Sequence, residues 1–223
     1  MRPAGFLQRC AAWTLDAAVL APAALAIAWP RLHAAGATWG QGLGRLGERL
    51  GEAALAGMPP RDLPALLLRD PVLAETVAAL HGASAAAALP AVAAFAVLGA
   101  FWNVLGERSR WQGSAGKRLL GLRVTDRAGR PPSLPRSLSR HLAGAASWLT
   151  LNLGHALAAL PPRRLALHDR FAGTRVVAAS GAPLPGWARL WLAAVAAAGL
   201  AATAWLALAA SRAMQAGLDR ALY

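Results

Sequence analysis

Four stretches of the chain are nearly free of charge, and the intervals between them are not. Residues 83–105 and 190–211 hold no charged side chain, 142–160 hold only the titratable His155, and 10–29 hold only Asp16. A helix of roughly 20 mostly apolar residues crosses a hydrocarbon core. The pattern therefore predicts spans near 10–29, 83–105 and 187–210. Pro22 and Pro90 fall inside the first two spans, where each removes a backbone donor and can kink its helix. Trp187 and Trp191, near one end of the last span, read as interfacial anchors.

The stretch at 142–160 differs. "LTLNLGHALAAL" breaks the apolar run with Asn152, Gly154 and His155. Two short apolar pieces joined there form a re-entrant or interfacial helical pair, which returns the chain to the side it came from. The competing reading is an ordinary span with a polar face. Irregular backbone at membrane depth requires cover from protein or a cavity.

Between the first two spans, Leu43, Leu46, Leu50 and Ala54 recur at helical spacing with Arg45, Glu48, Arg49 and Glu52 between them. Asp70-Pro71 reads as an N-cap followed by proline at the first helical position, and Gly82 as a stop. The loop at 30–81 is thus expected to form two surface helices. Between the second and third stretches, Leu120, Leu122 and Val124 alternate with Gly121, Arg123 and Thr125, the period of a half-buried strand. Ser133 is placed to cap a helix running through Arg140, and "TRVVAAS" at 174–180 is a second extended run that can pair with the first.

Charge orients these elements. Residues 1–9 carry two arginines and no acid, and 30–81 are balanced at five of each sign. The 106–141 segment has nine basic residues against Glu107 and Asp126, and 161–189 has five against Asp169. The positive-inside rule puts the N-terminus and 106–141 in the cytoplasm and 30–81 outside. It also favours a re-entrant 142–160, because a span there would export the basic 161–189 segment. A net charge of +13 could suggest nucleic acid, but the basic residues lie between apolar spans. That placement points to topology and anionic lipid headgroups instead. Of the 23 basic residues, 22 are arginine and one is Lys117, a bias that fits a GC-rich bacterial genome. "ALA" at 24–26 resembles a signal-peptidase site, but Asp16 and the length of the run favour an uncleaved first span.

The candidate chemistry is sparse. Cys10 is the only cysteine, so no internal disulfide forms. His33, His81, His141 and His155 have no metal-ligand spacing. "GSAGK" lacks the spacing of a phosphate-binding loop and is read as leading into a strand. No nucleophile and base stand in a recognisable order, so neither an enzyme nor a cofactor is expected. Asp16 is the exception: an acid inside a span costs about 2.5–3.5 kcal/mol at the helix centre. Arg9 precedes it by about 10 Å along the axis, but side chains tilt toward the helix N-terminus. Arg9 then leans to the cytoplasmic interface, and Asp16 needs a partner from another segment, with Lys117, Arg140 and His141 the candidates. Asp16 is either a proton- or cation-binding carboxylate or a buried staple that fixes helix packing. Asp169 is read as capping a turn with His168 or pairing with Arg163, Arg164 or Arg170.

An arginine entering the first helix, an aspartate seven residues on, "AGKRLLGLRV" at 115–124 and "LHDRFAGTRVV" at 167–177 together resemble the RDD family of bacterial integral membrane proteins. The resemblance covers about residues 5–179 and sets the family's arginine on Arg9 and its two aspartates on Asp16 and Asp169. Gly116, Lys117, Gly121, His168, Gly173 and Thr174 fall in its motifs, with Ser114 where threonine is frequent. The loop at 30–81 and the span at 187–210 lie in its variable parts. The resemblance implies suspected transport with unsettled ligands.

The expected fold is an all-α membrane protein with three transmembrane helices, a re-entrant or interfacial helical pair and a small cytoplasmic two-stranded β element. Its expected place is the bacterial cytoplasmic (inner) membrane, multi-pass, with a cytoplasmic N-terminus. Two functions follow: a small, oligomeric carrier of a cation or proton working through Asp16, or a non-catalytic module that assembles with or regulates a partner membrane protein.

Overall fold

A computed structural model describes residues 2–162, 164–180 and 182–223. Three helices in it are long and apolar enough to cross a membrane: α1 (Phe6–Leu55), α3 (Pro71–Arg108) and α8 (Gly186–Leu222). The protein is a multi-pass membrane protein.

All three helices outrun the apolar stretches that identify them. The first surface helix expected between the spans is the continuation of α1, which runs unbroken to Leu55. The second begins where expected, with Asp70 Oδ1 accepting from Val72 N and Leu73 N at 2.8 and 3.1 Å. It then passes through Gly82 and joins the second span as α3. A mid-helix glycine costs only about 1 kcal/mol against alanine, and the alanine-rich flanks outweigh it. Between them lie a 3-10 turn at Pro60–Asp62 and α2 (Leu63–Arg69).

The chain divides into two compact units. One comprises residues 25–92 and 197–223, which are parts of α1, α3 and α8 with the intervening α2. Here bare glycine backbones allow close helix contact. A side chain on Gly217 would run into the Gly44 carbonyl, and one on Gly47 into the backbone at Met214. Arg220 Nε donates to Glu48 Oε1 at 2.9 Å on the same pair of helices.

The other unit, residues 1–24 and 93–196, carries the basic segments and the sheet. After α3 the chain forms a short helix, α4 (Ala115–Leu119), and only then the strand β2 (Leu122–Asp126). "GSAGK" therefore opens a helical turn, not a strand. Gly121 makes the bend between them at φ +64°. β2 pairs antiparallel with β3 (Thr174–Ala178), Val124 opposite Val176. The sheet has a third strand where two were expected: β1 (Arg2–Pro3) adds to the other edge of β3, giving the order β1-β3-β2. Two residues carry no period-two signal, so sequence pattern could not reveal it. Ala4, Leu122, Val124, Val176 and Ala178 pack with Ala12 of α1 as the apolar core of this unit.

The stretch at 142–160 is not one helix. Ser133 stands at the N-cap of α5 (Leu134–Ala146), although its hydroxyl makes no capping bond. A 3-10 turn covers Ser147–Thr150, and Leu151 and Asn152 take left-handed backbone. The four-residue α6 (Leu153–Ala156) follows. Since β2 and β3 bracket this broken segment and pair with each other, the chain enters and leaves it on one side. Trp191, read as an interfacial anchor, instead donates from Nε1 to Thr14 Oγ1 at 2.9 Å and ties α8 to α1.

Candidate functional site

Asp16 lies about two turns beyond Arg9 on α1, buried at 5% exposure. Its partners are neutral. Trp102 Nε1 and the Gly116 backbone N–H both donate to Oδ1 at 2.8 Å, and Ser114 Oγ donates to Oδ2 at 2.5 Å. Gly116 is required for this approach, because a Cβ there would strike the Ala12 carbonyl and crowd the Asp16 carboxyl. α4 thus presents its N-terminal hydroxyl and backbone to a carboxylate on α1.

Lys117, one position on, does not touch Asp16 directly. Its ammonium donates to Asn103 Oδ1 at 2.7 Å and Ser114 Oγ at 3.3 Å, and lies 3.7 Å from Glu107 Oε1. Burial pulls Lys117 below the ordinary lysine range, and the Glu107 carboxylate resists that fall. Glu107 also accepts from Arg140 Nε at 3.1 Å, while its Oε2 is buried with no hydrogen-bond partner among the described residues.

Arg140 then reaches the second motif aspartate. Its Nη1 donates to Asp169 Oδ1 and to Thr174 Oγ1. Arg9 Nη1 donates to Asp169 Oδ2 at 2.6 Å, and its Nη2 to the Arg164 carbonyl at 2.7 Å. Asp169 sits in the first turn of α7 (Leu167–Ala172) and also accepts from Ala166 N at 3.0 Å. Burial raises its carboxyl, but Arg140 and then Arg9 overrule that and hold it well below the usual carboxylate range. His168 is pushed well below its ordinary value, first by burial and next by Arg140. Gly173 closes α7 at φ +63°, a backbone angle that sends the chain into β3.

The result is one continuous buried network: Asp16, Ser114, Lys117, Glu107, Arg140, Asp169, Arg9. Three carboxylates face three cations, the balance that buried ionic groups need. Several expectations change. Arg9 is not a headgroup anchor but half of the clamp on Asp169. Neither Arg140 nor His141 partners Asp16; His141 Nε2 instead lies 2.9 Å from the Ala96 carbonyl. Asp169 pairs with neither Arg164 nor Arg170, and Arg163 lies outside the described residues. Sequence reasoning missed Trp102, Asn103 and Glu107. A signal for Glu107 was available, since it is an acid at the very end of a charge-free run. Among the described residues no group of three or more His, Cys, Asp or Glu is placed to hold a metal ion.

No curated protein and no solved structure matches the chain. Residues 3–173 match the RDD family, a range that contains all seven residues of the network. The chain belongs to the RDD family.

Proposed function

We propose that this protein is a small carrier in the bacterial inner membrane, N-terminus in the cytoplasm, that moves a proton or cation through a site centred on Asp16. The carrying observation is that Asp16 is held by neutral donors alone, while both arginines of the network are committed to Asp169. Asp16 is therefore the one carboxylate of the network with no cation in direct contact. Intramembrane acids of this kind are by default functional. The neighbouring geometry favours a proton. Lys117 Nζ donates to Ser114 Oγ, and Ser114 Oγ donates to Asp16 Oδ2. Passing one proton along each bond converts an ammonium and a carboxylate into an amine and a carboxylic acid. A hard cation would first have to displace the Lys117 ammonium from Asn103 and Ser114.

The test is proteoliposome flux of protons, sodium and potassium, wild type beside Asp16→Asn. Flux that the variant loses while it remains folded supports the reading. Absence of all three fluxes in wild type removes it. Four membrane segments are few for a carrier, so the protomers are expected to associate.

A second reading has its own support. The Asp169 clamp is saturated and joins α1, α5 and α7, as a packing staple would be. On this reading the protein is non-catalytic and assembles with or regulates another membrane protein. It predicts no flux and a cross-linkable complex in the native membrane.

A further inference from the structure

The buried network leaves one strongly charged region unused, the surface around the turn between β2 and α5. A cavity of about 620 Å³ opens there, lined by Arg108, Arg130, Arg136, Ser133 and Asp126. A second, of about 690 Å³, shares Asp126, Arg130 and Arg136 and adds Arg127, Arg170 and Phe171. Asp126 is the only acid in either lining and is already engaged. Its Oδ1 accepts from Arg130 N at 2.9 Å, and its Oδ2 lies 3.4 Å from Arg130 Nε and 3.6 Å from Arg136 Nη1. It fixes the two guanidiniums without cancelling the cavity's positive charge. Arg108 has no side-chain ion pair or hydrogen bond among the described residues.

Two further features bear on what fits. Arg108 is the last residue of α3, a helix of membrane-crossing length, so the cavity stands at the helix end, where headgroups lie. Phe171, lining the adjoining cavity, is 74% exposed. Clustered arginines suit a phosphate, which their planar forks bind in bidentate fashion. The exposed Phe171 ring in the adjoining cavity suits an acyl chain.

From this juxtaposition we propose that the Arg108–Arg130–Arg136 cavity is a binding site for the phosphate headgroup of an anionic phospholipid, with Phe171 of the adjoining cavity against its chains. The site is separate from Asp16 and does not depend on the carrier reading.

The test uses the full chain in detergent and short-chain phosphatidylglycerol as probe, with short-chain phosphatidylcholine and glycerol phosphate as the other arms. Binding is read by native mass spectrometry and by titration calorimetry. Phosphatidylglycerol should bind best, and Arg108→Gln should weaken it about fivefold, the weight of one basic residue near an anionic surface. Arg108→Gln with Arg136→Gln should weaken it about 30-fold. The charge-matched control, Arg69→Gln with Arg212→Gln, should leave binding unchanged. A thermal melt of each variant checks that it is folded. Equal binding of phosphatidylcholine overturns the proposal, as does equal weakening by the control pair. Glycerol phosphate binding as tightly as the lipid overturns the lipid assignment and leaves a free-phosphate site. Undiminished binding to a folded Arg108→Gln overturns the site itself.

Discussion

Arg9 and Asp169 stand 160 positions apart in the chain and meet at 2.6 Å, with Arg140 on the other oxygen of the same carboxylate. This contact fastens the start of α1 to the turn before β3. Removing one member of a buried ion pair leaves the other charged and unpaired, at a cost of about 3–5 kcal/mol. Asp169→Asn strands two arginines, so it should cost more than Arg9→Ala, which strands one carboxylate that keeps Arg140. Thermal unfolding in detergent measures both. A melting temperature for Asp169→Asn equal to wild type would remove the clamp as a stabilising element.

The same clamp sets a pH dependence. The Asp169 carboxyl titrates far lower in the folded protein than in the unfolded chain. Its contribution is then fully present above the unfolded carboxylate value of about 4 and is lost as pH falls toward the folded value. His168 is also depressed, so the unfolded chain takes up its proton first. Stability should accordingly begin to decline as pH drops below about 6.5. Wild-type melting temperatures should fall in two stages, one below about 6.5 and a steeper one below about 4. His168→Gln should shrink the first stage without abolishing it, because burial also depresses His141 and His155, and should leave the second stage in place. A first stage of undiminished size in that variant assigns it to the other histidines.

How much of this was legible from sequence depends on the range of each interaction. Spans, the β2 and β3 strands and the break near Asn152 follow local periodicity, and the chain displays them openly. Asp70 capping α3 is equally local. The network was half legible: Arg9, Asp16 and Asp169 stand out as motif residues, but which acid takes which base is a tertiary matter. A helical wheel around Arg9 gives its direction, not what α7 brings to meet it. Trp102 and Asn103 lie in an apolar run where their side chains resemble lipid-facing ornament. The length of α1 was missed because a change from apolar to amphipathic composition marks the end of a membrane span, not the end of a helix.

Lys117 gives a sharper case. The chain uses arginine at 22 of its 23 basic positions and lysine only here. The site explains the exception, since the ammonium fits among Asn103, Ser114 and Glu107, where a planar guanidinium with five donors would overfill the space. Arginine also cannot release a proton in a protein. Lys117→Arg should therefore destabilise the protein by about 1–3 kcal/mol, the usual cost of overpacking. If the protein carries protons, the variant should also lose that flux while keeping its charge. Wild-type stability and flux in Lys117→Arg would show that neither compactness nor proton release matters at this position.

The pairing of β2 with β3 makes a topological demand. Register such as Val124 opposite Val176 requires both strands on one side of the membrane, so the broken segment at 142–160 cannot traverse it. Single cysteines in a Cys10→Ser background test this: Ala128→Cys in the β2–α5 turn, and Leu165→Cys and Pro185→Cys on either side of β3. All three should react with a membrane-impermeant thiol reagent in the same orientation of vesicles, inside-out ones if the basic side is cytoplasmic. A cysteine in the 60–62 turn, as in Arg61→Cys, should react from the opposite side, because α1 and α3 each cross once. Labelling of positions 165 and 185 together with 61, and against 128, would mean that 142–160 spans after all and that the β2–β3 sheet does not form in the membrane.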